Sequence, residues 1–363
     1  MHQWTAETGE LDTWLDLHDG PGATFLDTEF MRTNTFFSRL ALVQINVGGE
    51  IVLLDAPRLG AAPRLAARLR DARRACVMHS ASEDLEALSG IVPDGPAFLF
   101  DTQIAAAMVG LGFGLSYQKL VAQLLGIDLP KAETRSDWMQ RPLSAAQLEY
   151  AAQDVLHLPA LHEILGAKLV ELGRDAWLAE DCRSLVARIC NAPLDVQPQR
   201  SFRGASDWPR ERQAILRRLL LWRDRRARSL DKPRPWILDD AHALSLAQQP
   251  PVDATELFER CKGLRALRGP QRVELLDLLQ QPVISEELDI APIPPPLTTT
   301  QKRTLSAMRD TVHAVAERLD LPDGLLCPRK HLEALVSEHT WPVALEGWRK
   351  PLLHDHLMAQ LGD

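Results

Sequence analysis

Four acidic side chains and one tyrosine of this 363-residue chain lie in segments that are otherwise apolar. Asp27 and Glu29 are two apart in the run FLDTEF. A strand places residues i and i+2 on the same face, so the two carboxylates are predicted to be neighbours. Two like charges at the end of a buried strand are costly unless a cation neutralises them, which indicates a metal site. A solvent-exposed strand end with both carboxylates hydrated is the alternative on this fragment alone.

Two further acidic positions follow along the chain. Asp84 lies at the start of a predicted helix directly after a strand, where an acidic residue also simply complements the helix dipole. Tyr150 and Asp154 are i and i+4 on one helical face that is otherwise apolar, so Asp154 is predicted to point inward. A surface tyrosine beside an exposed aspartate is the alternative for this pair.

Strand and helix signals alternate over residues 1–200 and predict a mixed sheet covered by helices. Strands are predicted at 23–30, 39–47, 50–56 and 75–79, with a later strand running into a helix in FLFDTQIAAAMVG, and helices at 58–71 and in SEDLEALSG. Gly48 and Gly49 predict a tight hairpin. Ser144 is a good N-cap for the helix that carries Tyr150 and Asp154, and Pro159 is expected to kink or break that helix.

Beyond residue 200 the pattern predicts amphipathic helices without strands. The segment APIPPPLTTT, residues 291–300, predicts a semi-rigid linker. Residues 227–244 and 316–333 repeat Ala, Leu-Asp, Pro and His in register at an offset of 89, which indicates a duplicated helical domain. The predicted organisation is a domain at 1–200, a helical domain at 201–283, a linker at 284–300 and a second helical domain at 301–363.

Charge is distributed unevenly along the chain. The net charge is −8, yet residues 201–283 contain sixteen basic and eleven acidic side chains, which predicts a polyanionic partner for that segment. Five cysteines without a CxxC pair disfavour a disulfide framework or a zinc ribbon. The N-terminus lacks the apolar core of a signal peptide, and no uncharged run is long enough to span a bilayer. We therefore expect a soluble, cytoplasmic protein with no membrane association.

The motifs and their order resemble the DEDD superfamily of 3′–5′ exonucleases, in its tyrosine-bearing branch. DTEF, HSASEDLE, EYAAQDV and SDWMQRPL (136–143) are similar to the ribonuclease D family in particular. The paired helical repeats resemble HRDC domains. The resemblance implies an α/β RNase H-like (DnaQ-like) exonuclease domain followed by two all-α HRDC-type helical domains.

The resemblance also implies an activity and its residues. The protein would be a 3′–5′ exoribonuclease that uses two divalent metal ions, Mg²⁺ or Mn²⁺, and releases nucleoside 5′-monophosphates. Asp27, Glu29, Asp84 and Asp154 would hold the ions, and Tyr150 would orient the attacking water. The substrates would be RNA, above all tRNA precursors with single-stranded 3′ ends, and no obligate protein partner is implied. A 3′–5′ DNA exonuclease and a non-catalytic RNA-binding scaffold are the alternatives.

Other residues are predicted to contact the nucleic acid. Met31, Arg32, Phe36 and Phe37 follow the first motif and are expected to line the 3′-terminal nucleotide, with a solvated arginine and core phenylalanines as the alternative. Lys131, Arg135 and Arg141 are candidates for contacts with the substrate backbone. The arginine-rich segment that contains Arg223, Arg225 and Arg226 predicts contacts with RNA phosphates, with a solvated helix face as the alternative.

Overall fold

The computed structural model describes residues 2–130, 136–191, 193–264, 267 and 269–361 of the chain. Two compact units are present. The first unit is drawn from Met1–Met31, Ser38–Ala192 and Thr299–Asp363, and the second from Arg32–Phe37 and Pro193–Thr298. The C-terminal helices therefore belong to the same unit as the α/β part of the chain.

A six-stranded mixed sheet is the centre of the first unit. Its strands are β1 (His2–Thr5), β2 (Thr24–Met31), β3 (Arg39–Val47), β4 (Glu50–Asp55), β5 (Cys76–Met78) and β6 (Leu99–Asp101), in the order β1-β4-β3-β2-β5-β6. β2, β3 and β4 pair antiparallel, while the β1–β4, β2–β5 and β5–β6 pairs are parallel. Gly48 and Gly49 have φ values of +64° and +94°, which confirms the predicted hairpin turn between β3 and β4.

The alternation of side chains along β2 determines which residues face the core. Leu26 is fully buried, as are Leu42 and Ile45 of the neighbouring strand. Asp27 pairs with Gln44 and Glu29 with Leu42, and the register shifts only after Glu29. Asp27 and Glu29 therefore share one face of β2, and Leu26 lies on the other.

Among the residues described before position 192, the first unit has eight α-helices. They are α1 (Thr8–Leu17), α2 (Pro63–Leu69), α3 (Ser82–Ala87), α4 (Thr102–Met108), α5 (Tyr117–Leu125), α6 (Ala145–Leu156), α7 (Leu158–Glu171) and α8 (Asp175–Cys190), with a 3₁₀ turn at Leu88–Gly90. Ser144 caps α6, and Pro159 lies in the first turn of α7, so the predicted break is confirmed. The helix predicted at 58–71 begins later, at Pro63, because a proline is favoured at a helix start.

The remaining elements are helical. They are α9 (Arg210–Leu230), α10 (Arg234–Ile237), α11 (Asp240–Gln248), α12 (Ala254–Arg260), α13 (Pro270–Gln280) and α14 (Ser285–Leu288) of the second unit, α15 (Thr299–Leu319), α16 (Asp323–Leu326), α17 (Arg329–Glu338) and α18 (Lys350–Met358) of the first, and 3₁₀ turns at Pro198–Ser201, Arg203–Ala205, Val343–Leu345 and Gly347–Arg349. Within the described residues no strand follows β6. None of the helices described has the length and apolar character that crossing a bilayer requires.

The same helical arrangement occurs twice at an offset of 89 residues. α9 and α15 both contain 21 residues, and α10 and α16 both contain four. Each long helix is followed by an aspartate in the left-handed conformation, Asp231 with φ 48° and Asp320 with φ 50°. The first two helices of the two segments therefore match in order and length, and a duplicated helical domain stays a prediction.

The segment 284–300, which was predicted to be a linker, is partly helical and has a buried residue. α14 lies inside it, and α15 begins at Thr299. Ile293 is buried in the apolar core of the second unit, and its backbone N–H donates to the Gln213 side chain at 2.9 Å. Proline keeps residues 291–298 out of regular structure, but the isoleucine anchors them to the unit.

Candidate active site

Asp27 and Glu29 form the part of the site that β2 supplies. Burial raises the pKa of Asp27 well above its usual range, and the charges of Asp84, Asp154 and Glu29 raise it further. Burial, followed by the charges of Asp154 and Asp84, raises the pKa of Glu29 to about 8. The pKa of Asp27 is raised by the charges of all three others, so the structure brings the four predicted acidic residues together.

Asp84 is held against β2 by a hydrogen bond. It lies in the first turn of α3, and the Thr28 hydroxyl donates to its Oδ1 at 2.5 Å. Burial raises the pKa of Asp84 to about 6, and the hydrogen bond from Thr28 opposes that rise. An acidic residue in a first helical turn often only complements the helix dipole while it stays hydrated. Asp84 is instead buried and hydrogen-bonded to a strand, which that alternative does not explain.

Tyr150 and Asp154 lie one turn apart on α6 and interact directly. Burial raises the pKa of Asp154 to about 7, while a hydrogen bond from the Tyr150 side chain lowers it in part. Burial, then the charge of Asp154, raises the pKa of the Tyr150 phenol, so this hydroxyl stays protonated at neutral pH. The buried Trp138 ring packs beside Tyr150 with a centroid separation of 6.0 Å.

Both ends of α6 are fixed. The Ser144 Oγ accepts from the Gln147 backbone N–H at 3.2 Å, and the Gln147 side chain accepts from the Ser144 N–H at 2.9 Å. At the other end, the Asn46 side chain donates to the Val155 carbonyl at 3.1 Å. A capping box and a bond from β3 therefore position the helix that carries Tyr150 and Asp154.

The donor set fits divalent cations. Oδ2 of Asp154 is buried and has no hydrogen-bond partner, which leaves an unsatisfied anionic oxygen beside three other carboxylates. Among the described residues, no group of three or more His, Cys, Asp and Glu side chains is arranged to hold one ion by itself. Mg²⁺ does not require such a cage, because it is usually bound through one or two carboxylates, waters and substrate phosphates.

Asp101 organises the site without belonging to the predicted ligand set. Its carboxylate accepts from the backbone N–H groups of Ser80 at 3.2 Å, Ala81 at 2.9 Å and Gln103 at 2.8 Å. These bonds fix the turn that leads into α3, and they also cap α4. Sequence reasoning did not assign this role to Asp101. An aspartate directly before a helix was the available signal.

Tyr117 supports α6 from the side. Its hydroxyl donates to the Gln153 carbonyl at 3.0 Å and accepts from the His157 N–H at 3.2 Å. Burial raises the pKa of this phenol, and the nearby charges of Asp154 and Asp27 contribute. Sequence reasoning missed Tyr117, although it is one of only two tyrosines in the chain.

Arg141 is engaged inside the first unit. Its guanidinium donates to Asp55 at 2.9 Å, to the Ala41 carbonyl at 2.7 Å and to the Trp138 carbonyl at 2.7 Å. These bonds tie the SDWMQRPL segment to β3 and β4, so the structure does not support Arg141 as a contact of the substrate backbone. Lys131 and Arg135 lie outside the described residues.

The segment after the first motif belongs to the second unit. Phe36 is buried in the apolar core of that unit, so the predicted place beside the terminal nucleotide is wrong for this residue. Arg32 and Phe37 are exposed, and the Phe37 N–H donates to Asp231 at 3.0 Å. Contacts of Arg32 and Phe37 with RNA stay predictions.

The arginines of α9 do not form one solvated face. Arg223 is only 8% exposed and donates to Asp240 at 2.6 Å and to the Leu238 carbonyl at 3.1 Å. Its charge is neutralised inside the unit, so the structure does not support Arg223 as a phosphate contact. Arg225 is exposed and Arg226 is half-buried, and their contacts with RNA stay predictions.

The whole chain is similar in sequence to known proteins. Residues 4–170 match the family model described as "3'-5' exonuclease", and residues 212–266 match the model of the HRDC domain. Ribonuclease D of Xanthomonas oryzae pv. oryzae is 42% identical over 363 residues, which cover 99% of each chain. Ribonuclease D of Pseudomonas paraeruginosa is 36% identical over 93% of this chain and 91% of its own. The chain belongs to the ribonuclease D family.

The structural comparison agrees with this family. The crystal structure of Escherichia coli RNase D superimposes with a TM-score of 0.87 at 27% identity, over 99% of this chain and 98% of that one. The predicted DnaQ-like exonuclease fold with an HRDC-type helical domain is confirmed. Ribonuclease D enzymes are metal-dependent 3′–5′ exoribonucleases, so this protein is a hydrolase that acts on RNA. The HRDC match lies in the first helical repeat, and an HRDC assignment for residues 301–363 stays a prediction.

Proposed function

We propose that the protein shortens RNA from its 3′ end at the cluster of Asp27, Glu29, Asp84 and Asp154, with Tyr150 as the residue that orients the attacking water. One observation carries this proposal: Asp84, Asp154 and Glu29 all raise the pKa of Asp27, a tyrosine lies beside them, and Oδ2 of Asp154 is buried without a hydrogen-bond partner. A packed core gains nothing from such an arrangement, whereas a binding site for cations requires it.

The four carboxylates would hold two divalent ions, Mg²⁺ or Mn²⁺. When bound, two such ions supply the charge neutralisation and the water activation that an in-line displacement at phosphorus requires. The residues of the chain contribute position and charge. β2 presents Asp27 and Glu29 on one face, Thr28 holds Asp84 on α3, and the capped helix α6 presents Asp154.

Tyr150 would act through its protonated hydroxyl. The phenol bonds to Asp154, and its raised pKa excludes a role as a base at neutral pH. A hydroxyl fixed in this way can hold a water in line with the scissile P–O bond. Attack at that phosphorus breaks the bond to the 3′ oxygen of the shortened chain. The released nucleotide keeps its phosphate on the 5′ oxygen, so the product is a nucleoside 5′-monophosphate.

The proposed substrates are precursors of stable RNA, above all tRNA precursors with single-stranded 3′ ends, and the proposed location is the cytoplasm. The E. coli relative is described as "an exoribonuclease involved in structured RNA processing". A basic segment at residues 201–283 supports a polyanionic substrate, and exposed Arg225 with half-buried Arg226 would contact RNA phosphates.

Incubation of the full-length protein with two labelled substrates tests the proposal. One substrate is a tRNA precursor with a single-stranded 3′ extension, and the other is single-stranded DNA of the sequence of that extension. With Mg²⁺ or Mn²⁺ we expect stepwise shortening of the RNA from its 3′ end, release of nucleoside 5′-monophosphates, slower cleavage of the DNA and no reaction in EDTA. Binding without shortening would contradict the proposal and favour the RNA-binding scaffold, and faster cleavage of DNA would favour the DNA exonuclease.

A further inference from the structure

The second unit has an apolar surface pocket that no step described above uses. Its volume is about 590 Å³, and its lining includes Leu230 at the end of α9, Trp236 of α10 and Leu264 after α12, together with the cation Lys232. Trp236 is 53% exposed and Leu230 is 45% exposed. A pocket of this size is in the range that accommodates small organic groups.

In the second helical repeat, the surface that corresponds to this pocket is covered by other residues of the chain. Eighty-nine residues after Trp236 and Lys232 lie Leu325 and Leu321, which are 7% and 6% exposed. Within the first unit, the Phe113 ring lies 3.4 Å from the position of a Cβ on Gly324, and Arg349 donates to the Leu325 carbonyl. In that repeat the matched side chains are leucines, and other residues of the chain bury them.

The open repeat has a different chemical character at the matched positions. Arg226 occupies the position of Val315, and Lys232 occupies that of Leu321. Arg226 and Leu230 are i and i+4 on α9, so this arginine is next to the edge of the pocket. The pocket therefore combines an indole and leucine side chains with two cations, at positions where the second repeat has Val315 and Leu321.

We propose that this pocket binds an unstacked base of single-stranded RNA, with the base stacked on Trp236 and the flanking phosphates neutralised by Arg226 and Lys232. A nucleotide presents a flat apolar face and an anionic backbone within one short unit, and the pocket offers complements to both. An apolar peptide or a lipid tail would match the leucines but would leave the two cations without a function. The inference rests on the proposed function only in taking RNA as the ligand.

Binding of two labelled oligomers to the full-length protein in EDTA tests this inference. One oligomer is a single-stranded oligoadenylate, and the other is an abasic oligomer of equal length with the same number of phosphates. Fluorescence anisotropy at one fixed salt concentration gives both affinities. Trp236→Ala is expected to weaken oligoadenylate binding at least about fivefold, in line with the loss of one stacked base, and to leave abasic binding unchanged.

Three variants make the outcome decisive. Trp236→Phe keeps a stacking ring and should retain most of the affinity. Leu230→Ser removes an exposed wall of the pocket and should weaken oligoadenylate binding. Val273→Ala removes an exposed apolar side chain of α13 that does not line the pocket, and it should have no effect. Circular dichroism verifies folding, and if Trp236→Ala does not fold, the comparison of Leu230→Ser with Val273→Ala decides.

Two results would overturn the inference. The first is unchanged oligoadenylate affinity in Trp236→Ala and Leu230→Ser, which would leave the pocket to a protein partner. The second is equal loss of both oligomers, or equal loss in Trp236→Phe and Trp236→Ala, because the indole would then not act by stacking on a base. Hydrolysis by the wild-type protein in Mg²⁺ is measured separately, so failure of the proposed function is distinguishable from failure at this pocket.

Discussion

Asp154 combines burial, a bond to Tyr150 and an oxygen without a hydrogen-bond partner. Asp154→Asn keeps the shape of the side chain and removes the charge that a cation needs. We expect kcat to fall by at least about 10²-fold, because loss of a partner that merely supports a metal ligand already costs 10- to 100-fold. Folding and RNA affinity should stay near those of the wild type. Steady-state hydrolysis of a labelled RNA at saturating Mg²⁺ measures the effect.

Glu149→Gln is the matched control, since Glu149 lies on the same helix and is exposed. It removes the same charge without reaching the carboxylate cluster, so its kcat should equal that of the wild type. Equal activity in the two variants would remove Asp154 from the site.

Tyr150→Phe removes only the hydroxyl that bonds to Asp154. We expect kcat to fall by about 10²-fold or more, the range for positioning and acid–base assistance, with binding of divalent ions retained. Full kinetic curves separate the parameters. A higher KM at unchanged kcat would show that Tyr150 binds the substrate and does not orient the water.

Individual residues differ in how far the sequence alone could assign them. The four carboxylates could be proposed because spacing and apolar neighbours predict an inward charge, and the structure brings them together. Phe36 and Arg223 could not be assigned correctly. The core that buries Phe36 and the Asp240 carboxylate that pairs with Arg223 are supplied by other elements of the second unit.

The capping box of α6 is the local interaction on which the position of Tyr150 and Asp154 depends most directly. Ser144→Ala leaves the Gln147 backbone N–H without its acceptor and should cost about 1 kcal/mol in the free energy of unfolding. Ser144→Asp, which restores a capping oxygen, should unfold near the wild-type denaturant concentration. Urea unfolding followed by circular dichroism compares the three proteins, and a stable Ser144→Ala would show that the cap does not hold the helix.

Elements defined by local signals were predictable, and elements defined by distant partners were not. The β3–β4 hairpin and the α6–α7 break follow from Gly48, Gly49 and Pro159, which act within a few residues. β1 has no apolar run, and its partner β4 lies about fifty residues away. The Pro-rich segment 291–300 gave no sign that Ile293 would be buried, because the burial of Ile293 depends on the fold of the second unit.

The carboxylate cluster should make the stability of the metal-free protein depend on pH. Glu29, Asp154 and Asp84 have pKa values raised to about 8, 7 and 6, above those of an unfolded chain. The folded state then binds protons that the unfolded state has released, so stability falls as pH rises from about 4 towards 8. Thermal unfolding in EDTA measures this slope, and Glu29→Gln should make it shallower.

Divalent ions should reverse the same slope, since they bind the deprotonated carboxylates. The increase in Tm caused by Mg²⁺ or Mn²⁺ should therefore be larger near pH 8 than near pH 6. An increase that is independent of pH, or larger at the lower pH, would show that the ions stabilise the protein elsewhere.

Counting bound Mn²⁺ by electron paramagnetic resonance tests most directly whether the four carboxylates form the metal site. The full-length wild-type protein at neutral pH is expected to bind about two ions per chain, and Asp27→Asn and Asp154→Asn should each bind fewer. Glu149→Gln should bind as many as the wild type. No tightly bound Mn²⁺ in the wild type, or the same number in all four proteins, would contradict the assignment of the site.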